Sequence, residues 1–221
     1  MERSEGSPAV LAVDDHPLFL RGFVAAWSRE RPGDRLLEAS SFGEAKRIID
    51  AVALTLVVTD LRLPDGTGID VCNYVVATRP TVPVALLTTY DAPAIIEASR
   101  CAGARGFFSK DVDVSELLQG IQRLVSTRGL SSFPDHAVVP QFTRREGQVL
   151  RLLLDGASNP MIAAALGVSP ETAKTHVTSV MGKLGASDRF SAASMARSWG
   201  FDLALPYLGE DKSKSVGHDV H

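Results

Sequence analysis

The residues best suited to chemistry in the first half of the chain are Asp14, Asp15, Asp60, the Thr88–Thr89 pair and Lys110, each at the end of an apolar run. Carboxylates brought within a few ångströms of one another repel strongly unless a cation or raised pKa values relieve them. An all-oxygen set with few protein ligands suits Mg²⁺, which completes its octahedron with waters and phosphate oxygens. A lysine then supplies counter-charge and a hydroxyl supplies a donor for a phosphoryl group. A carboxylate can itself be the nucleophile and form an acyl phosphate. Asp60 is placed for that role, with the metal and Lys110 offsetting charge in the transition state. Any one of these acids alone would read as an ordinary helix N-cap. Their joint placement is what carries the argument.

The elements that must position them repeat five times between Ala9 and Ser126: a short apolar run, a turn, then helical spacing, as in βα units. The runs are Ala9–Val13, Arg35–Ala39, Leu54–Thr59, Val82–Thr89 and Arg105–Ser109, with helices expected near Pro17, Phe42, Thr67, Asp91 and Asp113. The first, third and fourth runs are apolar on both faces, as buried parallel strands are. A five-stranded doubly wound α/β sheet of this size has the expected order 2-1-3-4-5, which makes the first and third strands neighbours. Ligands in such sheets sit beyond the carboxyl ends of the strands, so Asp14, Asp15 and Asp60 are expected to converge there.

Residues 127–141 hold Gly129, Pro134 and Pro140 without sustained periodicity and read as a linker between domains at 9–126 and 142–204. The second domain reads as short helices. Thr143 and Glu146 form a capping box; Asn159-Pro160 and Ser169-Pro170 each look like an N-cap followed by Pro; Gly156 and Gly167 close helices. Residues 160–184 read as helix, turn and second helix, with Ala173, Val177, Val180 and Leu184 on a buried stripe and Lys174, Thr175, Thr178 and Lys183 opposite. Such a helix fits a DNA major groove. Residues 205–221 are polar and aperiodic and read as a disordered tail.

Composition is that of an ordinary globular chain: 221 residues, 45% apolar, 22% charged, net charge −3 and pI near 6.0. The average conceals a division, since 1–126 has 13 basic and 17 acidic residues, whereas 141–200 has seven basic and four acidic. The first half is therefore acidic and the helical segment basic, the sign a nucleic-acid partner requires. Two cysteines, Cys72 and Cys101, make neither a disulfide framework nor a zinc site and suit a cytoplasmic protein. No apolar run approaches the length of about 20 residues that spans a membrane, and no signal peptide is expected.

With Val13-Asp14-Asp15-His16-Pro17, the run Val57–Gly68 and Phe107-Phe108-Ser109-Lys110, the first half resembles the receiver domain of two-component response regulators. The resemblance implies that Asp60 is the phosphoacceptor and that Asp14, Asp15, Asp60 and the backbone carbonyl of Arg62 serve Mg²⁺. It implies further that Thr88 is the switch hydroxyl, Phe107 the switch aromatic and Lys110 the phosphoryl-binding lysine, while His16 belongs to the loop into the first helix. The second half, from Phe142-Thr143-Arg144-Arg145-Glu146 through Glu171–Val177 to Asp188-Arg189, resembles a LuxR-type helix-turn-helix, so the whole is similar to NarL/FixJ-type response regulators. By that resemblance Lys174, Thr175 and Thr178 face promoter DNA, His176 and Lys183 touch phosphates, and the helix carrying Ser191, Met195 and Trp199 dimerises. The partners it implies are a sensor histidine kinase, double-stranded DNA and a second copy of the chain, with RNA polymerase a further candidate.

The chain departs from the family pattern at Asp111, where Pro is frequent, at Phe107, where Tyr is frequent, and at Ala173 and Thr178, where Val and Lys are common. A haloacid-dehalogenase-type phosphatase, which also uses a strand-end Asp, resembles this chain less, because its second Asp would fall where Arg62 stands. The protein is thus expected to catalyse only its own phosphorylation and dephosphorylation. The alternative is a DNA-binding regulator that uses its receiver as an interaction module without phosphate.

Overall fold

The computed structural model describes residues 9–126, 131–135, 138–206 and 208. Most of the expected tail at 205–221 lies outside the described residues. The chain divides into two compact units, one of 1–91 with 99–136 and the other of 92–98 with 137–221.

In the first unit, β1 (Ala9–Val13), β2 (Arg35–Ala39), β3 (Leu56–Asp60), β6 (Val84–Thr88) and β7 (Gly106–Ser109) form one parallel sheet in the order β2-β1-β3-β6-β7. This is the expected 2-1-3-4-5 order once a small hairpin, β4 (Arg62–Leu63) and β5 (Gly66–Thr67), is set aside. Helices α1 (Pro17–Glu30), α2 (Phe42–Ala51), α3 (Gly68–Thr78) and α5 (Val114–Ser126) alternate with the strands, and α4 (Pro93–Cys101), between β6 and β7 in the chain, is divided between the two units. Strands β1, β3 and β6 are buried at every position, which is why their sequences lack alternation. On one face Phe23 and Trp27 of α1 meet Val58, Leu87, Leu118 and Ile121. Each such side chain contributes roughly 1.5–3 kcal/mol through burial. Phe108 reaches this layer over two glycines, Gly106 and Gly120, where an added Cβ would come within 2.6 and 2.7 Å of its ring.

Within the expected linker, one described residue pairs with the sheet. Ser132 forms a single parallel bridge with Gly106, its amide donating to Arg105 O at 2.9 Å and its carbonyl accepting from Phe107 N at 2.9 Å. The guanidinium of Arg100 lies 4.9 Å from the Phe133 ring centroid.

The second unit contains α6 (Arg144–Leu154), α7 (Asn159–Leu166), α8 (Pro170–Leu184), α9 (Arg189–Ser198) and the short α10 (Phe201–Ala204). The Thr143/Glu146 capping box is present, and Gly167 closes α7 in the left-handed conformation at φ 63°. The start of α7 differs from expectation by one residue: Ser158 is the N-cap and Asn159 is already helical. The reason is tertiary, since Asn159 Oδ1 accepts from Arg189 Nη1 at 2.9 Å and is not available to cap. Ala173, Val177, Val180 and Leu184 are all buried, as their spacing predicts.

Candidate functional site

At the carboxyl edge of the sheet, ligand atoms of Asp14, Asp15, His16 and Asp60 all lie within 4.8 Å of one another. Neighbouring strands bring them together, because β1 pairs with β3 in the register Val13↔Thr59. Asp14 and Asp60 are 2% and 6% exposed, whereas Asp15 faces solvent. Lys110, just beyond β7, places Nζ 2.5 Å from Asp14 Oδ2 and 2.8 Å from Asp60 Oδ1, and 4.5 Å from the Phe19 ring centroid. Burial pushes the Asp60 carboxyl above its ordinary value, Lys110 pulls it back, and the Asp14 charge pushes it up again.

The donor set fits a hard divalent cation. Among the described residues no hydrogen-bond donor is aligned on the buried Asp14 Oδ2, and the Lys110 ammonium supplies the opposite charge beside it. Three clustered carboxylates, two of them paired with one ammonium, leave an excess of negative charge that a Mg²⁺ ion would neutralise. His16 comes closer than its assignment to the loop suggests: Nδ1 is 2.8 Å from Asp15 Oδ1 and 3.3 Å from Asp14 Oδ1, while its amide donates to Asp14 Oδ1 at 2.9 Å.

Of the threonine pair, Thr88 is buried at the end of β6 and Thr89 is exposed. The Thr88 hydroxyl accepts from Tyr90 N at 2.9 Å, so in this conformation it holds the following loop. Phe107 is 4% exposed and opposite Leu86 in the sheet. Arg62 lies on the hairpin directly after Asp60 and its side chain is exposed. Gly68 is the residue most tightly constrained by the site, since a Cβ there would meet Asp60 O at 2.2 Å, and its amide donates to Leu61 O at 2.8 Å.

In the helical unit, Lys174, Thr175 and Thr178 are exposed on α8, with Thr175 Oγ1 donating to Glu171 O at 3.0 Å. His176 is half-buried. Lys183 has a second occupation that its sequence position conceals: Nζ donates to Glu146 Oε2 at 2.6 Å and to Gln141 O at 2.9 Å. Burial alone would raise the Glu146 carboxyl. The Lys183 ammonium, the Thr143 amide and the Ser179 hydroxyl together outweigh it and hold the group at about 2. Glu146 thereby fastens α6 to α8. Three arginines are also spent on backbone carbonyls: Arg145 on Leu166 O and Arg197 on Leu154 O, the last residues of α7 and α6, both at 2.6 Å, and Arg189 on Ala157 O between those helices. Much of the unit's positive charge is therefore structural, which sharpens the importance of Lys174.

On α9 the expected dimerisation residues occupy different situations. Ser191 completes a capping box with Asp188, its amide donating to Asp188 Oδ1 at 2.9 Å. Met195 is half-buried, and Trp199 ends the helix with its ring stacked 6.4 Å from Phe201. The most exposed large apolar residue of this helix is Phe190, at 85%, which spacing did not single out.

Comparison with known proteins agrees with both units. Residues 10–122 match the response regulator receiver domain, and residues 140–196 match the bacterial regulatory proteins of the luxR family. The chain belongs to the response regulators. It is 34% identical over 199 residues to a probable transcriptional regulatory protein NarL of Mycobacterium tuberculosis, covering 85% of this regulator and 92% of that protein. With the transcriptional regulatory protein UhpA of Escherichia coli it shares 31% identity over 185 residues, covering 81% and 92% of the two chains. Among solved structures, the RcsB response regulator of Salmonella typhimurium aligns with a TM-score of 0.63 at 23% identity, over 86% of this chain and 99% of that one, a likeness of fold. This regulator thus joins a receiver to a LuxR-type DNA-binding domain. Among the described residues no helix is long and apolar enough to cross a membrane.

Proposed function

We propose that the regulator accepts a phosphoryl group on Asp60 from a sensor histidine kinase and, so modified, binds promoter DNA through α8 as a dimer. The observation that carries this reading is the meeting of Asp14, Asp15, Asp60 and Lys110 at one sheet edge. Asp14, Asp15, Asp60 and the Arg62 carbonyl would hold Mg²⁺, which when bound supplies charge neutralisation for the phosphoryl oxygens. Asp60 Oδ attacks phosphorus in line, the bond to the donor breaks, and Lys110 stabilises the charge on the transferred group. Thr88 then turns its hydroxyl proton from Tyr90 O, 3.4 Å away, to a phosphoryl oxygen, and Phe107 at the adjoining strand takes up the change. Nothing in this scheme calls for an external substrate to be turned over.

For the DNA step, Lys174, Thr175 and Thr178 face the groove, with His176 and Lys183 beside the phosphates. Few exposed basic groups per copy favour two half-sites, because the electrostatic part of affinity scales with phosphates neutralised. Ser191, Met195 and Trp199 mark α9 as the dimerising element.

Asp60→Asn should abolish labelling by acetyl phosphate in the presence of Mg²⁺, measured as acid-labile phosphate on the protein. Persistent label on that variant would overturn the assignment. On a promoter fragment selected from a random pool by the wild-type regulator, Lys174→Ala should weaken binding about fivefold to tenfold in a gel-shift titration. Unchanged affinity would remove Lys174 from the DNA face.

A further inference from the structure

The hairpin that follows the phosphoacceptor is anchored at its tip by a residue to which no role has been given. Asp65 lies in the turn between β4 and β5 and reaches across to the start of α2, accepting from Phe42 N at 2.6 Å and from Gly43 N at 2.8 Å. A helix begins with amides that have no partner within the helix. In α2 the first two are met by Asp65, the third, Glu44 N, by the Ser41 hydroxyl at 3.2 Å, and the next, Ala45 N, by Ser41 O at 3.0 Å. Asp65 is thus a cap supplied from 22 residues away, and its carboxyl is held below the usual range by the Gly43 and Phe42 amides.

The contact is shaped on both sides. An added Cβ at Gly43 would come within 3.1 Å of Asp65 Oδ2, and one at Gly66 within 3.3 Å of the Phe42 ring, so the hairpin lies closely against the start of α2. The root of the hairpin is fixed separately by Gly68 N on Leu61 O. With two residues in each strand, Arg62↔Thr67 and Leu63↔Gly66, a hairpin tied at root and tip has little freedom between them. Arg62, whose carbonyl is assigned to the proposed metal set, lies between those two ties.

We infer that Asp65 is a positioning residue for divalent-metal binding: by capping α2 it holds the β4–β5 hairpin so that the Arg62 carbonyl joins the three carboxylates. This rests on the proposed reading of the Asp14, Asp15 and Asp60 cluster as a metal site. Residues that orient a ligand affect metal affinity without touching the ion.

The test is Mn²⁺ binding to the full-length, unphosphorylated chain, with free Mn²⁺ followed by electron paramagnetic resonance. Asp65→Ala should bind about tenfold more weakly than wild type. Asp65→Asn, which keeps one acceptor oxygen, should fall between the two. Ser41→Ala removes the local cap of the same helix without touching the hairpin and should bind as wild type. Wild-type affinity in both Asp65 variants, or equal weakening by Ser41→Ala, would overturn the inference. If Asp65→Ala does not fold, Asp65→Asn decides alone, and wild-type affinity there is overturning. Asp14→Asn separates the two levels. Wild-type Mn²⁺ affinity in Asp14→Asn would remove the metal site itself, whereas weakened binding there with normal binding in the Asp65 variants would remove only the role of Asp65.

Discussion

Replacing Lys110 by Ala will destabilise the metal-free receiver by about 3–5 kcal/mol at pH 7, and millimolar Mg²⁺ will restore most of the loss. Among the described residues the ammonium is the one cation within 3 Å of both Asp14 and Asp60, which are almost wholly buried. Without it two carboxylates face each other in a medium that solvates them poorly. The sign of the pH dependence follows from Asp60, whose carboxyl is raised by burial. A raised acid favours the protonated form in the folded state, so its stabilising contribution is complete below the unfolded value of 3.8 and is lost as pH rises through the folded value. Lys110 opposes that rise, and its removal extends the loss to higher pH. Urea unfolding at pH 5 and pH 7, with and without Mg²⁺, measures both effects. At the same time divalent affinity should increase, since a competing cation has gone, while acetyl phosphate labelling falls by about 100-fold or more. A variant as stable as wild type without metal, or one that labels normally, would contradict the role given to Lys110.

Gly68→Ala is expected to cost about 2–4 kcal/mol and to reduce phosphoryl acceptance more than its stability loss explains. Its methyl group would lie 2.2 Å from Asp60 O, and the atom that must yield is backbone of the phosphoacceptor itself. Gly147→Ala provides the contrast. That glycine lies within α6 with nothing within 4 Å of an added Cβ, so the substitution should stabilise by about 0.5–1 kcal/mol through helix propensity alone. Thermal unfolding of both variants, followed by labelling of Gly68→Ala at a temperature where it is folded, separates packing from geometry. Normal labelling in folded Gly68→Ala would show that Asp60 tolerates displacement.

Strands β1, β3 and β6 were legible because buried parallel strands write themselves as unbroken apolar runs, as in Val10–Val13 and Val84–Leu87, and the order followed from the repeated βα pattern. The acidic pair, Asp60 and Lys110 were legible for the same reason, since each directly follows such a run. The β4–β5 hairpin was not, because strands of two residues are too short to show alternation. The capping role of Asp65 is not legible in the sequence because its partners at 42 and 43 belong to another element, and local patterns do not register a cap supplied through space. Lys183 illustrates a further limit: it lies on the polar face of α8 as the stripe predicts, but its pairing with Glu146 is a tertiary fact. Asn159 was misread for a related reason, a capping side chain being drawn off by Arg189.

The two borders of the sheet are handled in different ways. Along β2 the outward residues include exposed Arg35 and Glu38, charges that discourage an incoming strand. Along β7, which carries Phe107 and Phe108, the guard is covalently part of the chain: Ser132 occupies the hydrogen-bonding positions that a foreign strand would use. A connecting segment with no place in the chemistry thus covers Arg105 O and Phe107 N, and truncation before Ser132 would open that border of an aromatic-rich strand to pairing with another chain.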